Sequence, residues 1–132
     1  MRLTFVSVLL AAMVAGSAQA ESPKLPSSAI QLSGEELSGW LDGKKFNVVI
    51  YDAEVPITAK INWDMAGKRV YGSYVAGDAK GKFDNPWVIK GDTSCAEKTT
   101  DGKWICQKIF VDGEVMYEVN SKGKIHAVSK PR

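Results

Sequence analysis

GDTSCAEKTTDGKWICQKIFV, residues 91–111, holds the only two cysteines of the chain, Cys95 and Cys106, on either side of Thr99-Thr100-Asp101-Gly102. A polar, Gly-containing cluster of this kind between two patterned runs signals a turn. Beyond it Trp104, Cys106, Lys108 and Phe110 alternate with Ile105, Gln107, Ile109 and Val111. A period of two is the pattern of a strand, so the stretch predicts a β-hairpin closed by its own disulfide. If the cysteines stand directly opposite, Lys98 faces Lys103 across the turn. The two charges then repel weakly against the covalent link.

The disulfide reading rests on the compartment. Residues 1–20 carry Arg2, an apolar run interrupted only by Thr4 and Ser7, and then Ala18-Gln19-Ala20. That three-part pattern predicts a secretory signal peptide cleaved after Ala20. No other apolar run in the mature chain is long enough to span a bilayer. An even cysteine pair in an exported protein favours a disulfide. The spacing is not C-x-x-C, and one histidine leaves too few soft ligands for structural zinc. The expected destination is the periplasm or the exterior. The formal charge of +2 is interspersed along the chain. That distribution lacks the basic footprint of a nucleic-acid binder.

Working outward, residues 21–31 are a Pro/Ser-rich arm, expected to be flexible, and residues 32–132 a single domain. The domain opens on a helix signal. Ser33 is the expected N-cap with Glu36 three residues on, a capping box, and Leu32 with Leu37 forms a hydrophobic staple. Leu37, Trp40 and Leu41 share one face, and Gly43 stops the helix. About two turns of helix do not stand alone in water, so that face must dock on the rest of the domain.

From Lys45 the period is two throughout. Phe46, Val48 and Ile50 begin it, and Ile57, Ala59, Ile61 and Trp63 continue it against Thr58, Lys60 and Asn62. A turn at Asp64 to Gly67 precedes a run in which Gly72 suggests a bulge or sharp bend. Residues 76–86, rich in Gly, Asp and Lys, read as the longest loop, followed by a short strand at 87–90. Asp112-Gly113 marks a tight turn into Val115, Tyr117 and Val119, which alternate with Met116, Glu118 and Asn120. A last turn at 121–124 leads to a strand starting at Ile125. The expected fold is mainly β: an antiparallel meander of eight strands with one short N-terminal helix. A small lipocalin-like barrel removes exposed edges, and a compact sandwich is the alternative.

No residue set carries an established chemistry. His126, the only histidine, reads as one face of an edge strand, and Glu35 and Glu36 suit the helix N-terminus. Asp52 and Glu54 read as turn and surface residues. Residues 78–84 have a calcium-loop outline, but Lys80 and Lys82 stand where oxygen ligands are required. Neither a metal, a cofactor nor a catalytic group is therefore expected. The aromatic residues read first as packing. Tyr51, Tyr71 and Tyr74, with Lys80, Lys82 and Phe83 of the polar segment, form the candidate binding surface.

Leu32-Ser33-Gly34-Glu35-Glu36-Leu37, Gly43, the meander, Gly91-Asp92-x-x-Cys95 and Cys106 resemble small exported proteobacterial proteins grouped as domain-of-unknown-function families. Residues 91–95 are also similar to a segment of small periplasmic inhibitors of secreted metalloproteases. That resemblance implies an eight-stranded barrel with one disulfide and an inhibitory N-terminal arm, here 22–28. In those inhibitors the partner cysteine lies earlier in the chain, whereas Cys106 lies later. The expected function is a non-enzymatic envelope or secreted binding protein whose partner is a protein, a glycan or a small ligand. A hydrolase inhibitor and a carrier of small hydrophobic ligands are the alternatives.

Overall fold

The hairpin forms in the expected register: Cys95 pairs with Cys106 and Ala96 with Ile105, with the disulfide in place and the two Cα atoms 4.0 Å apart. The computed structural model describes residues 22–97 and 101–132. The signal-peptide reading and Lys98 of the proposed lysine pair therefore lie outside the described residues. Cys95 and Cys106 share the outer face of the sheet with Trp104. Lys90 reaches over the Trp104 ring at 5.0 Å, and Cys95 is fully buried.

Nine strands and one helix follow in chain order: β1 (Ile30–Gln31), α1 (Gly34–Leu41), β2 (Lys45–Ile50), β3 (Ile57–Asp64), β4 (Arg69–Ala76), β5 (Ala79–Lys90), β6 (Thr93–Glu97), β7 (Trp104–Asp112), β8 (Val115–Val119) and β9 (Ile125–Pro131). Strands β2 to β9 each pair antiparallel with the next. The β2–β9 ladder closes the ring, which makes an eight-stranded up-and-down barrel. The two residues of β1 pair with Val111 and Phe110 of β7, beyond the stretch of β7 that pairs with β6.

The helix is built as its sequence dictates. Ser33 N–H donates to Glu36 Oε1 at 2.9 Å and the Ser33 side chain accepts in return, completing the capping box. Gly43, at φ 72°, is the left-handed residue just past the C-cap Asp42. Leu37 and Leu41 are fully buried, and Trp40 stacks on Phe46 with ring centroids 5.7 Å apart. Gly34 N–H donates to Asp92 Oδ1, and Lys44 and Gly43 bond Trp63 through the backbone. These contacts set the helix against the barrel end where β2 begins and β3 ends. The inward faces of Phe46, Val48, Ala59, Ile61, Trp63, Val70, Trp87 and Ile109 supply the rest of the core.

Three expectations are corrected. Residues 76–86 are not the longest loop, because the chain turns at Gly77-Asp78 and the 12-residue β5 starts at Ala79. Lys80, Lys82 and Asp84, which suggested a loop, are the outer face of a strand whose residues 79–86 pair with β4 and 87–90 with β6. Its inner half is Gly81, Phe83, Asn85 and Trp87, and Gly81 leaves room for the Tyr74 ring. Gly72 makes no bulge, since the β3–β4 and β4–β5 registers run through it unbroken. The backbones simply come too close there for a side chain, as an added Cβ would lie 1.8 Å from the Lys60 carbonyl oxygen. The bulge is instead at Glu118/Val119 opposite His126, and with β9 paired on both sides His126 is not on an edge strand.

Gly72→Ala should therefore cost about 2–3 kcal/mol or prevent folding, because the clash is with backbone and no rotamer relieves it. Urea unfolding checks this. The disulfide spans a sequence separation of 11. Replacing both cysteines by Ser should cost about 3 kcal/mol or less, read as a lower urea midpoint with a folded barrel retained.

Candidate functional site

At the end of the barrel beside the β6–β7 hairpin lies a cavity of about 170 Å³, open to solvent on one side. Besides Glu97 at its mouth, its polar lining comes from β3, β5, β6, β7, β8 and β9: Trp63, Asn85, Ser94, Gln107, Glu118 and His126. Each of these but His126 stands at an inward position of its strand by the pairings Trp63 with Val70, Val70 with Asn85, Ser94 with Gln107, and Ile109 with Glu118. His126 reaches the cavity because the bulge adds a residue to β9 there.

The lining is unusual for a core. Trp63 Nε1, Asn85 Oδ1 and Gln107 Oε1 are buried without a hydrogen-bond partner among the described residues. Neighbouring Trp87, packed edge-on to Trp63 at 5.2 Å, is by contrast satisfied, donating from Nε1 to Ser94 Oγ at 2.7 Å. Burial pushes the Glu118 carboxyl above its ordinary value; the nearby His126 acts against that, and Asp52 adds to it. His126 Nδ1 and Asp52 Oδ1 are 2.6 Å apart, and Asn120 Nδ2 donates to Asp52 Oδ2 at 3.1 Å. Asp52, read from the sequence as a surface turn residue, thus orients the ring.

A base held by a carboxylate is half of a hydrolytic triad. Among the described residues the His126 ring bonds only Asp52, and the Ser94 hydroxyl in the same cavity accepts from Trp87 Nε1. Nor do the described residues gather three His, Cys, Asp or Glu side chains around a metal position.

On the outside, a groove of about 980 Å³ runs over β2, β3, β4, β8 and β9, with Pro23 of the arm at its rim. The strand registers arrange its side chains in two rows across the sheet. One row is apolar: Tyr117, Val128, Val49, Thr58 and Val75 stand side by side, ending at Lys80. The next row is Lys130, Asn47, Lys60, Ser73 and Lys82, three lysines on alternate strands. With strands about 4.8 Å apart, successive lysines in that row are about 10 Å apart. No acidic residue lines the groove, and no ion pair engages these lysines among the described residues.

The candidate surface read from the sequence therefore divides. Tyr51 lines the groove, and Lys80 and Lys82 end its two rows. Tyr71 is also outside but one row further along the strands, under the Arg69 guanidinium at 4.5 Å. Phe83 faces inward and packs on the core, and the partly buried Tyr74 does so too while also contributing to the lining of the groove. The arm is seated rather than free: Pro23, Leu25 and Pro26 are half-buried, Ala29 N–H donates to the Pro26 carbonyl, and Ser28 Oγ donates to Asp112 Oδ2 at 3.0 Å. Among the described residues no helix is long and apolar enough to cross a membrane.

Sequence reasoning missed Glu118, Gln107 and Asn85. The alternation of β8 shows two faces but not which is inward; Val115 and Tyr117 look like the core face, yet they point out while Met116 and Glu118 point in. The available signal was the hairpin itself. Once Cys106 is placed outside, Gln107 and Ile109 face in, and pairing across the Asp112-Gly113 turn carries Glu118 in with them. Comparison of the chain with protein-family models, curated proteins and solved structures gives no match.

The pH dependence of stability tests the cavity's electrostatics. A carboxyl whose folded pKa lies above its unfolded value of 4.5 stabilises the fold below that value, and the contribution is lost as pH rises through the folded pKa. Glu118→Gln keeps the shape without the charge. Its melting temperature should match the parent's near about pH 4 and exceed it at about pH 7, measured by circular dichroism.

Proposed function

We propose that the protein is a non-enzymatic exported binding protein that docks an anionic, amphipathic segment of another envelope protein on its outer wall. The observation that carries this reading is the pairing of the two rows: Lys130, Lys60 and Lys82 beside Tyr117, Val128, Val49 and Val75. An exposed apolar patch in a groove, rimmed by charge of one sign, is the form of an interaction site. The disulfide is consistent with an oxidising compartment outside the cytoplasm.

The alternatives draw less support. A carrier of hydrophobic ligands needs an apolar pocket of roughly 300 Å³ or more, whereas the cavity at the hairpin end offers about 170 Å³ and carries buried polar groups in its lining. An inhibitor that inserts its arm into a protease would first have to lift Pro23 and Ser28 from their seats on the barrel.

Binding of an acidic probe peptide that alternates Glu and Val should weaken with added salt. The Lys60→Glu, Lys130→Glu variant should bind it at least about tenfold more weakly at low ionic strength. Fluorescence anisotropy measures both, and the same variant should fail to retain partners from an envelope fraction that the parent retains. Equal binding by parent and variant, or salt-independent binding, removes this reading.

A further inference from the structure

The interior cavity is not used by the outer-wall reading, and its lining asks for an occupant. An indole N–H and two amide oxygens, all buried and all without partners among the described residues, line it from β3, β5 and β7. Trp63 and Gln107 are each 6% exposed, so neither group meets bulk water. Leaving such groups unpaired costs about 1–3 kcal/mol each. A core of this size gains nothing in stability from a carboxyl, two amides and an indole N–H gathered at one point; an apolar replacement would pack at lower cost.

The chemistry of the lining narrows what fills it. Glu97 and Glu118 line the cavity, Asp52 stands behind His126, and no Lys or Arg lines it among the described residues, so an anion is disfavoured. A simple ammonium ion is disfavoured too, because it offers no acceptor to Trp63 Nε1–H. The lining needs a molecule that both donates and accepts at several positions. Hydroxyl groups do this, each carrying one donor and two acceptor lone pairs. The indole of Trp63, with Ala96 and Ile105, adds an apolar wall for C–H groups. At about 30 Å³ per water, 170 Å³ is the space of five or six waters, or of one small organic molecule.

We propose that this cavity is a binding site for a small uncharged polyol, of the size range from glycerol to a pentose. Its hydroxyls donate to Asn85 Oδ1 and Gln107 Oε1 and accept from Trp63 Nε1, and its carbon skeleton lies against the Trp63 indole and Ile105. Access runs past Ile105, which is 42% exposed at the hairpin end of the cavity. The site is separate from the outer wall, since the two share no lining residue.

The test follows the indole N–H resonance of Trp63, assigned by its loss in Trp63→Phe, in the mature protein from Glu21 onward. Glycerol, erythritol and ribose are titrated in turn, with butylammonium and glutarate as charged controls. A saturable shift of the Trp63 signal by at least one polyol below about 10 mM, without a comparable shift from the controls, is the expected result. Gln107→Leu should weaken that binding about tenfold or more while the Trp104 signal stays in place. Asn85→Ala is the second variant should the first fail to fold. Lys60→Glu with Lys130→Glu should leave it unchanged. No saturable polyol shift, a response to butylammonium alone, or equal affinity in Gln107→Leu and Asn85→Ala would each overturn the proposal and leave a water-filled core.

Discussion

Everything in this molecule depends on the hydrogen bonds that join β9 to β2. Without that ladder the eight strands are an open meander with two long edges and one face of apolar side chains still wet. With it, Val48 meets Ser129, Ile50 meets Ala127, and a single interior is defined. The closure is tight. At Gly72 there is no space for even a methyl group between β4 and the Lys60 carbonyl, and Gly81 leaves room for Tyr74 where β4 and β5 turn inward. Gly34 is held the same way against the Gly91 carbonyl, which lets the helix N-terminus sit on the barrel.

The interior is divided by chemistry. At the helix end, Leu37, Leu41, Phe46 and Ile109 are fully buried and make an apolar plug. Toward the β6–β7 hairpin the same inward positions carry Asn85, Ser94, Gln107 and Glu118 around a cavity. An apolar core would be more stable, and the disulfide on the outside of the same hairpin offsets part of that difference. The bulge in β9 belongs to this end as well. It turns His126 toward Glu118 while its Nδ1 faces Asp52, which links the cavity to the loop that follows β2.

The outer wall shows a second consequence of closure. Lys60, Lys82 and Lys130 are far apart in the chain, yet continuous registers through β9, β2, β3, β4 and β5 put them in one row. Interspersed charge in a sequence can thus become a one-sign stripe on a sheet, because a ladder sorts residues by register and by face. The apolar outward row beside it is the reason Tyr117 and Val115 misrepresent the inner face of β8.

The sequence by itself determined the local devices: the capping box at Ser33, the left-handed stop at Gly43, the turns at Asp64 to Gly67 and at Gly113, and a cysteine hairpin in its register. Each depends on residues within about a dozen positions, where spacing along the chain is also distance in space. It also determined the fold class, since a long succession of short alternating runs has few other ways to bury its edges. Only the tertiary structure decided that residues 79–90 are a strand, because their polar half is tolerated by facing out while Phe83 and Trp87 face in. It alone decided which residues meet. Trp63, Asn85, Gln107 and Glu118 share a cavity, and Asp52 finds His126 across 74 positions, through ladders whose partners no single strand can name. Alternation reveals two faces; closure of the barrel chooses the inner one.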